Sequence, residues 1–233
     1  MPRRVGILGG TFDPIHSGHL DLASAAERAL GLTEIVVVPA HIPPHRSAPM
    51  ASAFHRFAMT AIAVAGRDGW RTSDLELQKA GRSFTAHTLR HMSENGVPPS
   101  ELFFLIGADA FAEIGTWYDY PAILDLAHFA VVSRPGFAVS ELRRRMPELS
   151  ARMVDAPRIE QAPAIILIDA PTADVSSSAI RRRLANGESI AGLVPAGVQQ
   201  HIEQHRLYTS ESPDPAGPRP SPEPAAGRLH GHK

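Results

Sequence analysis

The apolar positions of this chain fall into short β-branched runs, most of them followed by a longer stretch with helical spacing. Val5, Ile7 and Leu8 form the first run and predict a buried strand. Gly9 and Gly10 follow at once, allowing a sharp turn and close approach of another group. Asp13-Pro14 adds a turn signal, and Ser17 is placed to cap a helix over about residues 18–30 that Gly31 stops. Residues 34–40 (EIVVVPA) predict a second buried strand, and Pro43, Pro44 and Pro49 stiffen the loop after it. Residues 52–65 have helical periodicity, with Phe54, Phe57, Ala58, Ala61 and Ile62 gathered on one side.

The alternation continues. A short edge strand is predicted at 71–77, a helix at 85–94 stopped by Asn95-Gly96, and a strong buried strand at 101–106 (ELFFLI) running into Gly107-Ala108-Asp109. A short helix at 122–126, a strand at 129–133, a helix at 140–146 and a strand at 165–169 follow, with 147–163 read as irregular. Ser176-Ser177-Ser178 leads into another helix, and a last one covers about 196–205. Strands alternating with helices predict an α/β fold, a Rossmann-like doubly wound parallel sheet with helices on both faces. Ligands of such sheets bind beyond the carboxyl ends of the strands. Loops 9–19, 40–46, 107–109, 134–136 and 170–178 are therefore expected along one edge. Residues 1–208 read as one domain, and the proline-rich 209–233, lacking apolar bulk, as a disordered tail.

Composition narrows the class. With 233 residues, 43% hydrophobic and 20% charged, the chain reads as a soluble globular protein with one sizeable core. A net charge of −1 gives no basic field, so neither nucleic acid nor a membrane surface is an expected partner. The absence of cysteine rules out disulfides, thiolate metal sites and cysteine nucleophiles. No apolar run has the length of a signal peptide or a membrane span, and a cytoplasmic location is the default expectation.

The candidate chemistry lies in two places. His16 and His19 flank a predicted helix N-terminus, where unpaired N–H groups and a partial positive charge favour anions. The pair could clamp phosphate, bind a metal or exchange protons, or one could simply cap the helix. The preceding strand, the Gly9-Gly10 turn and the cap position favour phosphate, and a zinc site lacks a third ligand at suitable spacing. Ser177, Ser178 and Arg181 open a second helix with hydroxyls and a guanidinium, a second candidate anion site. His230 and His232, near the tail's end, could catch metal, though a solvated tail is the simpler reading.

GGTFDPIHSGHL at 9–20 resembles the His-x-Gly-His signature of a nucleotidyltransferase superfamily, and SSSAIR at 176–181 its second signature. PPHR at 43–46, SFTAHTL at 83–89, FLIGADAF at 104–111 and TWYDY at 116–120 narrow the resemblance to the bacterial nicotinate-nucleotide adenylyltransferases, over about residues 5–208. Phe84, where tyrosine is common, and Ser178, where threonine is common, depart from that pattern. The resemblance implies transfer of the adenylyl group of ATP to nicotinate mononucleotide, with Mg2+ accompanying ATP. Nicotinamide mononucleotide, or both mononucleotides, are the alternatives, as is a regulatory nucleotide-binding module of a different class. It further implies that His16, His19, Gly9, Gly10, Thr11, Phe12, Ser177, Ser178 and Arg181 surround ATP, with Gly107 and Asp109 at its ribose. His45, Arg46, Thr85, Trp117, Tyr118 and Arg134 are the implied substrate-binding residues, and an oligomer is compatible with the pattern.

Overall fold

The computed structural model describes residues 3–43, 48–78, 81–156, 158 and 161–209. His45, Arg46 and the predicted tail from 210 lie outside them.

Strands β1 (Val5–Gly10), β2 (Glu34–Pro39), β3 (Trp70–Thr72), β4 (Leu102–Gly107), β5 (His128–Val132), β6 (Met153–Asp155) and β7 (Ile165–Ile168) make one seven-stranded sheet in the order β3-β2-β1-β4-β5-β7-β6. Every pairing is parallel, with Ile7 opposite both Val36 and Phe104. The strand order reverses between β1 and β4, and their carboxyl ends open the crevice expected of such a switch. The helices are α1 (Ser17–Leu30), α2 (Ala53–Val64), α3 (Thr85–Glu94), α4 (Ala108–Phe111), α5 (Leu142–Arg145), α6 (Ser177–Ala185) and α7 (Ala196–Gln204).

Side chains alternate across each strand, so the sheet divides the core in two. Leu8, Ile35, Val37, Phe103, Leu105, Ala130, Val132, Ile166 and Ile168 pack on the face carrying α1, α2, α6 and α7. Val5, Ile7, Val36, Val38, Phe104, Ile106, Phe129, Val131, Ile165 and Leu167 pack on the other, with α3, α4 and α5. The doubly wound arrangement with helices on both faces is thus the one the alternation predicts.

Three local expectations are corrected. Strand 71–77 shrinks to β3, which does occupy an edge. The stretch 147–163 contains a short 3-10 helix and β6, an edge strand held by Arg143, whose guanidinium donates to both carboxylate oxygens of Asp155 and to the Met153 carbonyl. A three-residue strand fixed by a distant arginine leaves no periodic signal. On α2 the buried side is Arg56, Met59, Thr60, Ala63 and Val64, while Phe54 is 87% exposed. The apolar residues at 54, 57, 58, 61 and 62 misplace this face because its chief buried group is an arginine.

Arg56 is 1% exposed and donates to the carbonyls of Thr11 (2.9 Å), His41 (3.0 Å), Ala51 (3.2 Å) and Ala40. It thereby ties the loops leaving β1 and β2 to α2. Arg56→Ala strands these carbonyls without donors and is expected to cost about 3 kcal/mol, read as a lower urea midpoint. Arg56→Lys, a point charge without the planar fork, is expected to recover less than half of the loss.

Candidate active site

The loop from β1 to α1 carries the densest polar chemistry. Gly9 and Gly10 end β1, with the Phe104 ring against the first and the Phe12 ring against the second. Phe12 takes a positive φ of 50°, which turns the chain back, and Asp13-Pro14 is a cis peptide. Asp13 is 4% exposed and fully engaged: it accepts from the Met50 N–H (2.8 Å), the Ala51 N–H (3.0 Å) and the Tyr208 hydroxyl (2.8 Å). Burial and the neighbouring Asp13 charge push the Tyr208 phenol well above its ordinary range, so it stays a donor.

His16, rather than the expected Ser17, is the N-cap residue of α1, with extended φ and ψ of −146° and 171°. Ser17 is the first helical residue, and both its N–H and its hydroxyl donate to the Leu193 carbonyl at 2.9 Å. The His16 N–H donates to Nδ1 of His19 (3.3 Å), which leaves Nε2 of His19 carrying the ring proton. The two imidazoles stack, centroids 3.7 Å apart at 28°, and Phe12 meets His19 edge-on at 5.0 Å. His16 is 3% exposed, and its Nδ1 is a buried nitrogen with no hydrogen-bond partner among the described residues. Burial, helped by the Arg134 guanidinium, lowers its pKa from 6.5 to about 4, so the ring is neutral at pH 7.

Arg134, just beyond β5, bridges to the same place. It donates to the carbonyls of Gly18 (3.4 Å) and Val175 (3.3 Å). Two glycines let Arg134 approach the backbone closely here. A Cβ at Gly18 would lie 2.9 Å from Arg134 Nη1, and one at Gly107 3.0 Å from Arg134 Cγ and 2.6 Å from Asp109 Oδ1. Asp109 itself is exposed, in the first turn of α4. The start of α6 completes the group. Ser176 caps it by accepting from the Ala179 N–H, and the Ser177 hydroxyl donates to the Pro14 carbonyl at 2.9 Å. Arg181 donates to the Asp13 carbonyl (2.7 Å) and to the Ser178 hydroxyl (3.4 Å). The N-termini of α1 and α6 therefore converge on one polypeptide loop, with Arg134 and Arg181 on its flanks.

Thr85, Trp117 and Tyr118 lie on a neighbouring rim. Tyr118 is half exposed and packs on Phe84 (4.8 Å) and His87 (5.2 Å), and Thr85 opens α3 beside them. Trp117 meets Phe104 edge-on at 5.9 Å, so a single ring separates it from Gly9.

A family model described as cytidylyltransferase-like matches residues 7–183. A nicotinate-nucleotide adenylyltransferase of Cronobacter sakazakii is 39% identical over 204 residues, covering 86% of this chain and 93% of that protein. One of Desulfitobacterium hafniense is 39% identical over 212 residues, covering 89% and 96%. The chain belongs to the nicotinate-nucleotide adenylyltransferase family. The nicotinic acid mononucleotide adenylyltransferase of Plasmodium falciparum, solved in complex with NaAD, shares its fold, with a TM-score of 0.69 at 20% identity over 89% of this chain and 98% of that one.

In this member of the adenylyltransferase family, sequence reading alone misses Arg56 and Tyr208 and takes Asp13 only as a turn residue. Arg56 had a usable signal, since it shares the spacing of Met59, Thr60 and Ala63. Tyr208 had none, because it reaches Asp13 across 195 positions.

The depressed pKa of His16 gives a pH signature. Between about pH 6.5 and 4 the unfolded chain binds a proton at this ring that the folded chain does not, so stability falls as pH falls through that window. From about pH 7 to pH 4.5 the native chain is expected to lose about 2 kcal/mol more than His16→Asn, measured from urea midpoints of both. Parallel curves would assign the acid sensitivity to other groups.

Proposed function

We propose that this protein joins the adenylyl group of ATP to nicotinate mononucleotide, releasing nicotinate adenine dinucleotide and pyrophosphate. One observation carries the reading: the unpartnered, buried Nδ1 of neutral His16 lies where the N-termini of α1 and α6, His19, Arg134 and Arg181 converge. Such a site is rich in donors, and a polyphosphate is the acceptor that matches it.

The chemistry follows. An oxygen of the mononucleotide phosphate attacks the α-phosphorus of ATP in line. The new P–O bond forms as the bond to the bridging oxygen breaks, and pyrophosphate leaves with that electron pair. The attacking phosphate is already an anion, so no general base is needed. The protein has to hold two anions against their repulsion and stabilise charge on the departing oxygen. Nε2–H of His19 is assigned to the α-phosphate, where charge grows in the transition state, and His16 and Arg134 to its neighbours. Arg181, Ser177 and Ser178 are assigned to the β,γ end at the start of α6, and the Gly9–Phe12 backbone to close approach against the nucleotide. Asp109, exposed beside Gly107, is assigned to ribose hydroxyls. Trp117 and Tyr118 are assigned to the pyridine ring and Thr85 to its carboxylate. His45 and Arg46 are assigned to phosphate by sequence alone. Mg2+ enters as part of the MgATP substrate. Asp13 is occupied by its own hydrogen bonds, and a hard cation with few protein carboxylates on offer suits the phosphate oxygens and water.

Pyrophosphate release from MgATP with each mononucleotide tests the proposal. Release with nicotinate mononucleotide is expected to exceed release with the amide. Equal rates would show dual specificity, and no release with either would favour a binding module. His19→Ala is expected to lower kcat by on the order of 10²-fold with the fold intact. Trp117→Ala is expected mainly to raise KM for the mononucleotide, and an unchanged KM would remove it from the pyridine site.

A further inference from the structure

Away from this crevice, three histidines meet where α2 packs on α7. His55 lies in the first turn of α2; His201 and His205 stand four residues apart at the end of α7, on one helix face. His55 Nδ1 is 3.1 Å from His201 Nε2, and one ligand nitrogen from each ring lies within 4.8 Å of the others. No two of the rings are stacked: their centroids lie 5.3, 4.8 and 4.5 Å apart at interplanar angles of 65°, 52° and 47°. None of these residues takes part in the chemistry assigned above.

We propose that His55, His201 and His205 form a binding site for a divalent transition-metal ion of the zinc class. Zinc–imidazole bonds of about 2.0–2.1 Å in a tetrahedron set ligand nitrogens about 3.3 Å apart. The His55–His201 pair already has nearly that separation. His205 is exposed at the helix end and free to close the remaining gap. Borderline-soft nitrogen ligands with no carboxylate in the cluster select zinc, nickel, cobalt or copper over magnesium. Three protein ligands leave a fourth position for water. A bound ion would staple α2 to α7. Arg56 follows His55 on α2, and Tyr208, the partner of Asp13, lies three residues beyond His205, so the staple would brace the phosphate loop from outside.

The full chain, stripped of metal with a chelator and free of nucleotide, is titrated with Zn2+ by calorimetry and with Co2+ by visible absorption. One equivalent of tight binding is expected, with the intense visible bands of tetrahedral Co2+ and a rise in Tm of about 5 °C at saturating Zn2+. His201→Ala and His205→Gln are each expected to weaken binding at least about tenfold and to abolish the Tm rise. His205, being exposed, tests the ligand set without disturbing the packing. The double variant His230→Ala, His232→Ala is expected to retain the binding. Loss of binding in that tail variant, its loss in His19→Ala, equal binding in native chain and His205→Gln, or no binding at all would each overturn the proposal.

Discussion

Taking a carboxylate out of water costs several kcal/mol unless its oxygens are filled and its charge is answered. Asp13 meets both conditions: two backbone N–H groups and the Tyr208 hydroxyl fill its oxygens, and the buried Arg56 guanidinium is close enough to feel its charge. Neither group is stable alone. Arg56 in turn holds the carbonyls of the loops leaving β1 and β2, and Arg181 holds the Asp13 carbonyl from α6. The loop that carries His16 and His19 is therefore fixed from below, from α2, from α6 and from the end of the chain after α7. Asp13 and Nδ1 of His19 serve that support, and His16 Nδ1 is the buried side-chain nitrogen of the loop that takes no part in it.

The site's electrostatics follow from that economy. A protonated imidazole at His16 would sit beside Arg134 and the positive end of α1, and burial removes the water that could screen it. The neutral ring is the outcome, so it adds no second fixed cation. Permanent positive charge is left to Arg134 and Arg181, which are only partly buried. For the proposed reaction, the arrangement suits a substrate that brings its own negative charge. Strong attraction for the bound triphosphate would lower KM without lowering the barrier, whereas donors aimed at the reacting phosphorus act on charge that grows during transfer.

Much of this was legible in the chain. The continuous apolar runs of β1, β2, β4, β5 and β7 mark strands buried on both faces of a parallel sheet, and the carboxyl ends of those strands lie on one edge as the topology requires. The motif residues at 9–19 and 176–181 could be placed next to each other because both follow parallel strands. What escaped is what depends on distance in the sequence. Asp13 looks like a turn residue until Tyr208 is brought to it, Arg56 like a surface charge until two loops close four carbonyls around it, and β6 like irregular chain until Arg143 binds Asp155. His55 and the pair on α7 belong to helices separated by more than a hundred residues, and only their packing makes them a cluster. Buried polar groups satisfied by remote partners carry no periodic signature, so they are the part of a site that a single sequence conceals.

The two halves of the crevice also differ in kind. The half at the starts of α1 and α6 rests on hydrogen bonds among buried and partly buried groups. The aromatic half, with Phe84, His87 and Tyr118 on a rim and Asp119 paired to Arg90, depends on partly exposed rings. Phe104 joins them. It sits in β4 opposite Ile7 of β1, its ring lies against Gly9, and its edge meets Trp117. The reversal of strand order between β1 and β4 thus does more than open a crevice. It puts one ring between the Gly9 turn and the Trp117 loop, so under the proposed assignments the spacing of phosphate and pyridine is set by the sheet itself rather than by either loop. Trimming Phe104 would widen that spacing while leaving every donor in place, and by this geometry the reaction would lose in-line alignment before it lost affinity for either nucleotide.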